Sequence, residues 1–376
     1  FNDFYLFNGA YKVDHLSNFM KVLIIVSGIF VMLSSSKYLK INKIFKIEYP
    51  ILLLSSILGM FIMISSNDLM VFYLGLELQS LALYVLASFK RNDQLSSESG
   101  LKYFVLSALS SGLLLYGCSL IYGFSGSTNF DQISNNISEV QYGLTLGIVF
   151  ILVGLAFKIS AVPFHMWAPD VYQGSPTSVT IFFAILPKIA ALSVFIRFLY
   201  VPFINLIDQW QTIIIFVSIA SMVFGAVAAI GQKNLKRLMA YSSISHMGFA
   251  LAGLAVGTNE GIQSSLIYIS IYLLMNLAFF SCLFMLKRND IYHEDLSDLS
   301  GLSKNHPILA LCLLISLFSL AGIPPLAGFF AKFYIFLAVI KEEMYFLAIV
   351  GLLSTVVAAF YYCLLYTSDA ADDVAS

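Results

Sequence analysis

The sequence predicts an all-α fold, a polytopic membrane helix bundle, and three observations predict it. The chain is 59% hydrophobic and only 11% charged, where a soluble globular domain carries about 25% charged residues. Its apolar stretches match the roughly 20 residues a helix needs to cross a bilayer. Its polar separators alternate in lysine and arginine content, as the loops of a chain threaded through a membrane do. Mean hydropathy is +0.88.

The remaining bulk properties exclude other classes. A net charge of −1 over 376 residues gives no footprint for nucleic acid or an acidic ligand. The four cysteines are scattered, with no Cys-x-x-Cys or Cys/His cluster to hold zinc or iron–sulfur. No glycine-rich phosphate loop is present, so no nucleotide site is visible.

Eleven spans are expected, near 16–36, 48–66, 68–89, 101–124, 141–162, 177–200, 211–231, 238–257, 261–286, 307–338 and 343–362. Alternate loops carry Lys37, Lys40, Lys43 and Lys46, then Lys90 and Arg91, then Lys233, Lys236 and Arg237, then Lys287, Arg288 and Lys304. The intervening loops carry no positive residue over 124–141, 201–210 and 257–261, and only Lys341 at 339–342. Positive residues stay cytoplasmic, so the N-terminal end of the first span lies outside. The closing string YTSDAADDVAS, joined abruptly to FYYCLLY, reads as a non-native tail over 363–376.

Two spans are interrupted. GLAFKISAVPFHMWAPDVYQGSPT places Pro163, Pro169, Gly174 and Pro176 after an apolar helix, and SLAGIPPLAGFFAKFYIF places Gly322, Pro324, Pro325 and Gly328 inside another. Proline removes a backbone donor and clashes with the preceding turn, so both helices should break. Broken backbone at membrane depth survives only packed in protein or lining a wet cavity, and paired breaks in two halves of a transporter-like chain point to the working site. Lys158 precedes its break by five residues, whereas Lys332 follows Pro325 by seven. Two repeats of opposite membrane orientation would give that pattern.

Four ionisable groups lie deep in apolar runs: Glu77, Lys158, Lys188 and Lys332. Each costs about 2.5–3.5 kcal/mol at a bilayer centre, so together roughly 10–14 kcal/mol, as much as the whole stability of an ordinary domain. An ion or proton pathway is the default account of such residues. Glu77 reads as an acid that modulates a lysine, or as interhelical glue; Lys158 reads as a proton switch, or as half of a static pair. Lys188 and Lys332 read as relay groups, or as side chains snorkelling to an interface. His165, in the first break, reads as a relay or as a hydrogen-bonded loop residue. Ser242, Ser243, Ser245 and His246 in NLKRLMAYSSISHMG either carry water or pack. Lys102 reads as an interfacial anchor that Glu98 can pair. The 33 Phe and 21 Tyr read as lipid-facing and interfacial bulk.

FYLGLELQSLALYVLASF, ESGLKYFVLSALSSGLLLYG, GLAFKISAVPFHMWAPDVYQGSPT, NLKRLMAYSSISHMG and SLAGIPPLAGFFAKFY together resemble the antiporter-like membrane subunits of respiratory NADH–quinone oxidoreductase, complex I. APDVYQGSPT with LGLELQSL looks like the N type rather than the L or M types. The resemblance runs over about 48–338. It implies some fourteen spans, of which two N-terminal and one C-terminal are absent here, as in a gene fragment. It also implies two inverted five-helix repeats. They are expected at 48–200 and 201–362, after a partial region with one transmembrane helix at 1–47.

By the same resemblance, Glu77 and Lys158 form a modulating ion pair, Lys188 is the central relay, Lys332 is the terminal lysine toward the outside, and His165 falls in the first broken loop. The implied function is proton translocation coupled to quinone reduction elsewhere in the complex, with no redox centre in this chain. No cofactor or metal is expected here; NADH, FMN, iron–sulfur clusters and quinone belong to other subunits. Expected partners are K- and M-type membrane neighbours, the lipid bilayer and protons, with no nucleic acid. The expected location is a bacterial inner membrane rather than the mitochondrial one. A sodium/proton antiporter subunit of the Mrp type is the alternative.

Overall fold

The computed structural model describes residues 3–137, 141–288, 291–292 and 294–371. The first two residues and the end of the expected tail, 372–376, lie outside the described residues. In chain order the helices are α1 (His15–Ile41), α2 (Glu48–Ile64), α3 (Leu69–Ala87), α4 (Gln94–Ser125), α5 (Phe130–Asn136), α6 (Tyr142–Lys158), α7 (Trp167–Gly174), α8 (Thr177–Tyr200), α9 (Ile207–Ile230), α10 (Leu235–Ala255), α11 (Asn259–Met285), α12 (Leu302–Asn305), α13 (Pro307–Ala321), α14 (Ala327–Lys341) and α15 (Tyr345–Ala371). Two small antiparallel hairpins, Phe4–Leu6 with Tyr11–Val13 and Lys287–Arg288 with Ile291–Tyr292, sit at loop level.

Among the described residues, eight helices are long and apolar enough to cross a membrane, and α2, α6 and α13 are shorter apolar helices. These eleven fall on the eleven expected spans. Several helices start where polar side chains cap their first amides. Asp14 and Ser17 form a reciprocal box on α1. Asp68 accepts from Met70 and Val71 on α3, and Asn234 accepts from Lys236 and Arg237 on α10.

The five-span order α2, α3, α4, α6–α7, α8 recurs as α9, α10, α11, α13–α14, α15. Five is an odd number, so the second set enters the membrane from the opposite face. Each set opens with a helix pair packed through glycine, the device membrane helices use for close approach. A Cβ on Gly59 would lie 2.5 Å from the Gln79 amide nitrogen, and one on Gly75 would lie 2.7 Å from that of Met63. On α9 and α10, a Cβ on Gly225 would lie 2.5 Å from the Ser245 nitrogen, and one on Gly248 would lie 2.8 Å from that of Met222.

The fourth span of each set is the broken one. α6 ends at Lys158, and α7 resumes at Trp167. The Trp167 indole donates back to the Phe157 carbonyl at 2.8 Å, and the Val162 amide donates to Ser221 Oγ on α9 at 2.9 Å. The second break has Gly322 in the left-handed region, φ +89°, and α14 resumes at Ala327. The first break is thus tied to α6 and α9, whereas Pro163 in the first break and Pro324 and Pro325 in the second are exposed on the surface of this chain.

α8 and α10 form the centre. The most apolar stretch of α8 is wholly buried and that of α10 is 94% buried. A helix apolar on every side belongs in the interior, and these two carry Lys188 and His246. Replacing Gly225 by valine should push α10 off α9 and cost about 1–3 kcal/mol, as overpacking does. A lowered thermal midpoint of the assembled protein in detergent checks it; an unchanged midpoint contradicts the packing described.

Candidate proton-relay site

The three deep lysines are all buried, each 4% exposed or less, which removes the snorkelling reading of Lys188 and Lys332. Lys158, at the last turn of α6, donates to Ser80 Oγ on α3 and to Ser107 Oγ on α4, both at 2.7 Å. Ser107 in turn accepts from the Tyr84 hydroxyl at 2.6 Å. Lys188, in the middle of α8, donates to Ser243 Oγ on α10 and lies 5.6 Å from the Tyr172 ring centre. The Ser243 hydroxyl meets that of Tyr272 at 2.7 Å.

Lys332 reaches across the second break. Its ammonium donates to the Leu320 and Ala321 carbonyls at 3.3 and 2.8 Å, and sits 5.1 Å from the Phe249 ring centre. These are orphan carbonyls at the C-terminal end of α13, where the helix dipole favours a cation. Gly322 leaves the room: a Cβ there would lie 3.0 Å from Lys332 Cδ. The two breaks are thus satisfied differently, the first by an indole and the second by the lysine itself.

Glu77 does not contact Lys158. Among the described residues no carboxylate lies within 4.0 Å of Lys158, Lys188 or Lys332. One carboxylate oxygen of Glu77 is buried without a hydrogen-bond partner, and its charge still acts on Lys158 through space. The modulating pair that the family resemblance implies is therefore not a contact in this structure. Ser80, one turn further along α3, is a hydrogen-bond partner of Lys158.

His165 stays apart from the lysines. Its ring packs 4.4 Å from that of Phe224 on α9, and its Nδ1 has no protein partner. The histidine that does lie among the lysines is His246, which feels the charge of both Lys188 and Lys332. Its Nδ1 meets the Tyr268 hydroxyl at 2.6 Å, and its Nε2 lies 3.4 Å from the Tyr362 hydroxyl, which also bonds Ser242. The packing reading holds for Ser245, which donates to the Met222 carbonyl. Tyr103, Tyr172, Tyr268, Tyr272 and Tyr362 are fully buried, so these tyrosines are not interfacial bulk. Tyr268, Tyr272 and Tyr362 reach α10 only through the positions of α11 and α15.

At the lysine-rich face Asp170 on α7 joins both halves of the bundle. It pairs with Lys102 on α4 at 2.7 Å and with Arg237 on α10 at 2.6 Å. Lys102 also pairs with Glu98 one turn away at 2.7 Å. Lys236 pairs with Glu294 at 2.7 Å and donates to the Ser175 carbonyl. A cavity of about 310 Å³ opens beside them, lined by Lys90, Asp93, Gln173, Ser175, Lys236 and Glu294.

The family described as NADH:quinone oxidoreductase/Mrp antiporter matches residues 66–358, the stretch that holds Glu77, all three lysines and both breaks. The chain belongs to this family. It is similar to the NADH-quinone oxidoreductase subunit N of Pelagibacter ubique, 78% identical over 357 residues, covering 95% of this chain and 76% of that protein. The subunit N of Parvibaculum lavamentivorans is 52% identical over 372 residues, with 97% and 77% covered. Among solved structures, a chain of respiratory complex I from Thermus thermophilus superposes with a TM-score of 0.83 at 32% identity, covering 98% of this chain and 79% of that one. An Mrp complex from Dietzia superposes with a TM-score of 0.84 at 24% identity, covering 95% and 66%, a likeness of fold alone.

Lys332 and Lys158 should differ in their cost to stability. Lys332→Met strands two buried carbonyls, each worth about 1–3 kcal/mol when left unpaired. Lys158→Met strands two hydroxyls that can turn onto helix carbonyls, as Ser80 already does toward Leu76. Thermal unfolding in detergent should therefore rank Lys332→Met as clearly the less stable variant; equal midpoints contradict the geometry.

Proposed function

We propose that this chain is a membrane-arm subunit of a proton-pumping NADH:quinone oxidoreductase. It carries protons through the buried groups Glu77, Lys158, Lys188, His246 and Lys332. Family membership supports the assembly. One observation supports the relay: every contacting partner of the three buried amines is an uncharged oxygen.

That chemistry suits groups that change charge. A contacting carboxylate would be left buried and unpaired whenever its lysine lost a proton, which is strongly unfavourable. A hydroxyl donates or accepts equally well. A neutral amine keeps two N–H donors, so Lys332 can lose its proton and still serve both carbonyls. Each site accommodates the charged and the neutral form with the same neighbours.

The route begins where a change of charge near Glu77 alters the proton affinity of Lys158, because nearby charge acts strongly in a low-dielectric interior. Ser110 and Ser111, one turn beyond Ser107 on α4, are buried hydroxyls without protein partners. Such groups are natural positions for bridging water, and they carry the proton toward Lys188. From there Ser243 and Tyr272 lead to the His246 cluster, and Lys332 passes the proton on. The imidazole step falls to His246 rather than His165, because His246 lies between the lysines.

Quinone chemistry takes place in other subunits, which hold NADH, FMN, iron–sulfur clusters and quinone. The neighbours are membrane subunits of K and M type, and the membrane is a bacterial plasma membrane. In the assembled enzyme in membrane vesicles, Lys188→Met should lower the number of protons moved per electron while NADH oxidation continues. Glu77→Gln should lower it without lowering the thermal midpoint, since a neutral amide replaces an unpaired charge. Wild-type stoichiometry in both variants overturns the relay.

A further inference from the structure

The bundle buries a fourth lysine that the relay does not use. Lys236, in the first turn of α10, is 4% exposed. Its ammonium pairs with Glu294 at 2.7 Å and donates to the Ser175 carbonyl at 3.0 Å. The other carboxylate oxygen of Glu294 accepts from the Thr177 hydroxyl at 2.5 Å. These groups form the floor of the cavity of about 310 Å³ at the lysine-rich face. That cavity reaches Ser175, Lys236 and Glu294 but not Thr177 or Tyr172, both of them buried.

Lys188 lies on the seam beneath that floor. Thr177 precedes Lys188 by eleven residues on α8, and Lys236 precedes Ser243 by seven on α10. At 3.6 residues per turn, each pair returns to within about 20° of one side of its helix. Lys188 and Ser243 bond each other across the two helices, so Thr177 and Lys236 mark the same seam nearer the lysine-rich face. The connection from α7 to α8 covers the distance between. Ser175 lines the cavity, whereas the Tyr172 ring centre lies 5.6 Å from the Lys188 ammonium. The hydroxyls of Ser175 and Tyr172 are buried and have no protein partner, which makes them positions for bridging water. The ion pair is not needed to hold its loop, because the backbone already does so. The Leu235 amide donates to the Glu294 carbonyl at 2.8 Å, and the Leu296 amide donates to that of Lys233 at 2.9 Å. Nor does Lys236 suit a relay, since a contacting carboxylate keeps its ammonium charged.

We propose that the cavity is the proton inlet to Lys188 and that the Lys236–Glu294 pair is its gate, shut in this structure. When the pair separates, water extends from the cavity past Ser175 to Tyr172. A hydrated proton on the lysine-rich side then releases its proton inward. Each hydroxyl accepts one proton and donates its own onward, and the neutral Lys188 amine becomes an ammonium. Water is left behind, and Ser175 and Tyr172 end unchanged. Lys236 and Glu294 are positioning residues: they exchange no proton and act by closing the way to the two hydroxyls. The assignment rests on the relay through Lys188 and adds the point at which protons join it.

The test combines two measurements on vesicles bearing the assembled enzyme. One is passive proton conductance without NADH under an imposed pH gradient; the other is protons moved per electron during NADH oxidation. Lys236→Met with Glu294→Gln removes both charges, which a buried pair tolerates better than the loss of one. The double variant should leak protons several-fold faster than wild type, and a further Tyr172→Phe should abolish most of the leak. Lys236→Arg keeps the pair and should stay tight. A tight double variant overturns the gate, as does a Lys236→Arg variant that leaks as fast as the double one. A leak that Tyr172→Phe leaves intact overturns the route. Should the double variant fail to assemble, Tyr172→Phe alone removes one unpartnered hydroxyl. It should lower protons per electron several-fold with the thermal midpoint unchanged; wild-type stoichiometry overturns the inlet. If the relay itself were wrong, Lys188→Met would also pump at wild-type stoichiometry, whereas failure of the inlet alone leaves Lys188→Met impaired and Tyr172→Phe normal.

Discussion

A buried amine whose partners are all neutral is the constraint on which the rest of the structure depends. Lys158, Lys188 and Lys332 must be kept out of water, or their proton affinity returns to that of an ordinary surface lysine. They must also be satisfied, or the bundle does not form. The fold meets both demands by surrounding α8 and α10 with the other helices and supplying three serines and two orphan carbonyls as partners. Removing any contacting carboxylate from this list makes discharge of the amine affordable.

The breaks follow from the same constraint. Lys332 needs acceptors at membrane depth, and carbonyls within an unbroken helix already accept one backbone hydrogen bond each. Ending α13 at Ala321 frees carbonyls where the ammonium can reach them, and Gly322 supplies both the left-handed turn and the space. The first break frees similar groups but gives one of them to the Trp167 indole, so Lys158 turns instead to Ser80 and Ser107. Inverted repeats therefore yield two lysine sites of different character from one architectural plan.

Much of this was legible in the sequence. The eleven spans, the two breaks and the depth of Glu77 and the lysines follow from hydropathy, proline placement and the alternating loop charge, all local signals. What was not legible depends on contacts between distant segments. Ser80, a hydrogen-bond partner of Lys158, lies 78 residues from it. His246 owes its position to Tyr268 and Tyr362, which the sequence presents only as aromatic residues in apolar helices. His165 packs against Phe224 on α9, a contact that its own segment does not announce.

The central claim is that these amines change charge during turnover. It is tested most directly by isotope-edited infrared difference spectroscopy of the assembled enzyme with labelled lysine, comparing the resting state with steady NADH oxidation. The account predicts a change in ammonium deformation bands that shrinks in Lys158→Met, Lys188→Met and Lys332→Met variants. Unchanged lysine bands in wild-type enzyme that is pumping at full stoichiometry would contradict it.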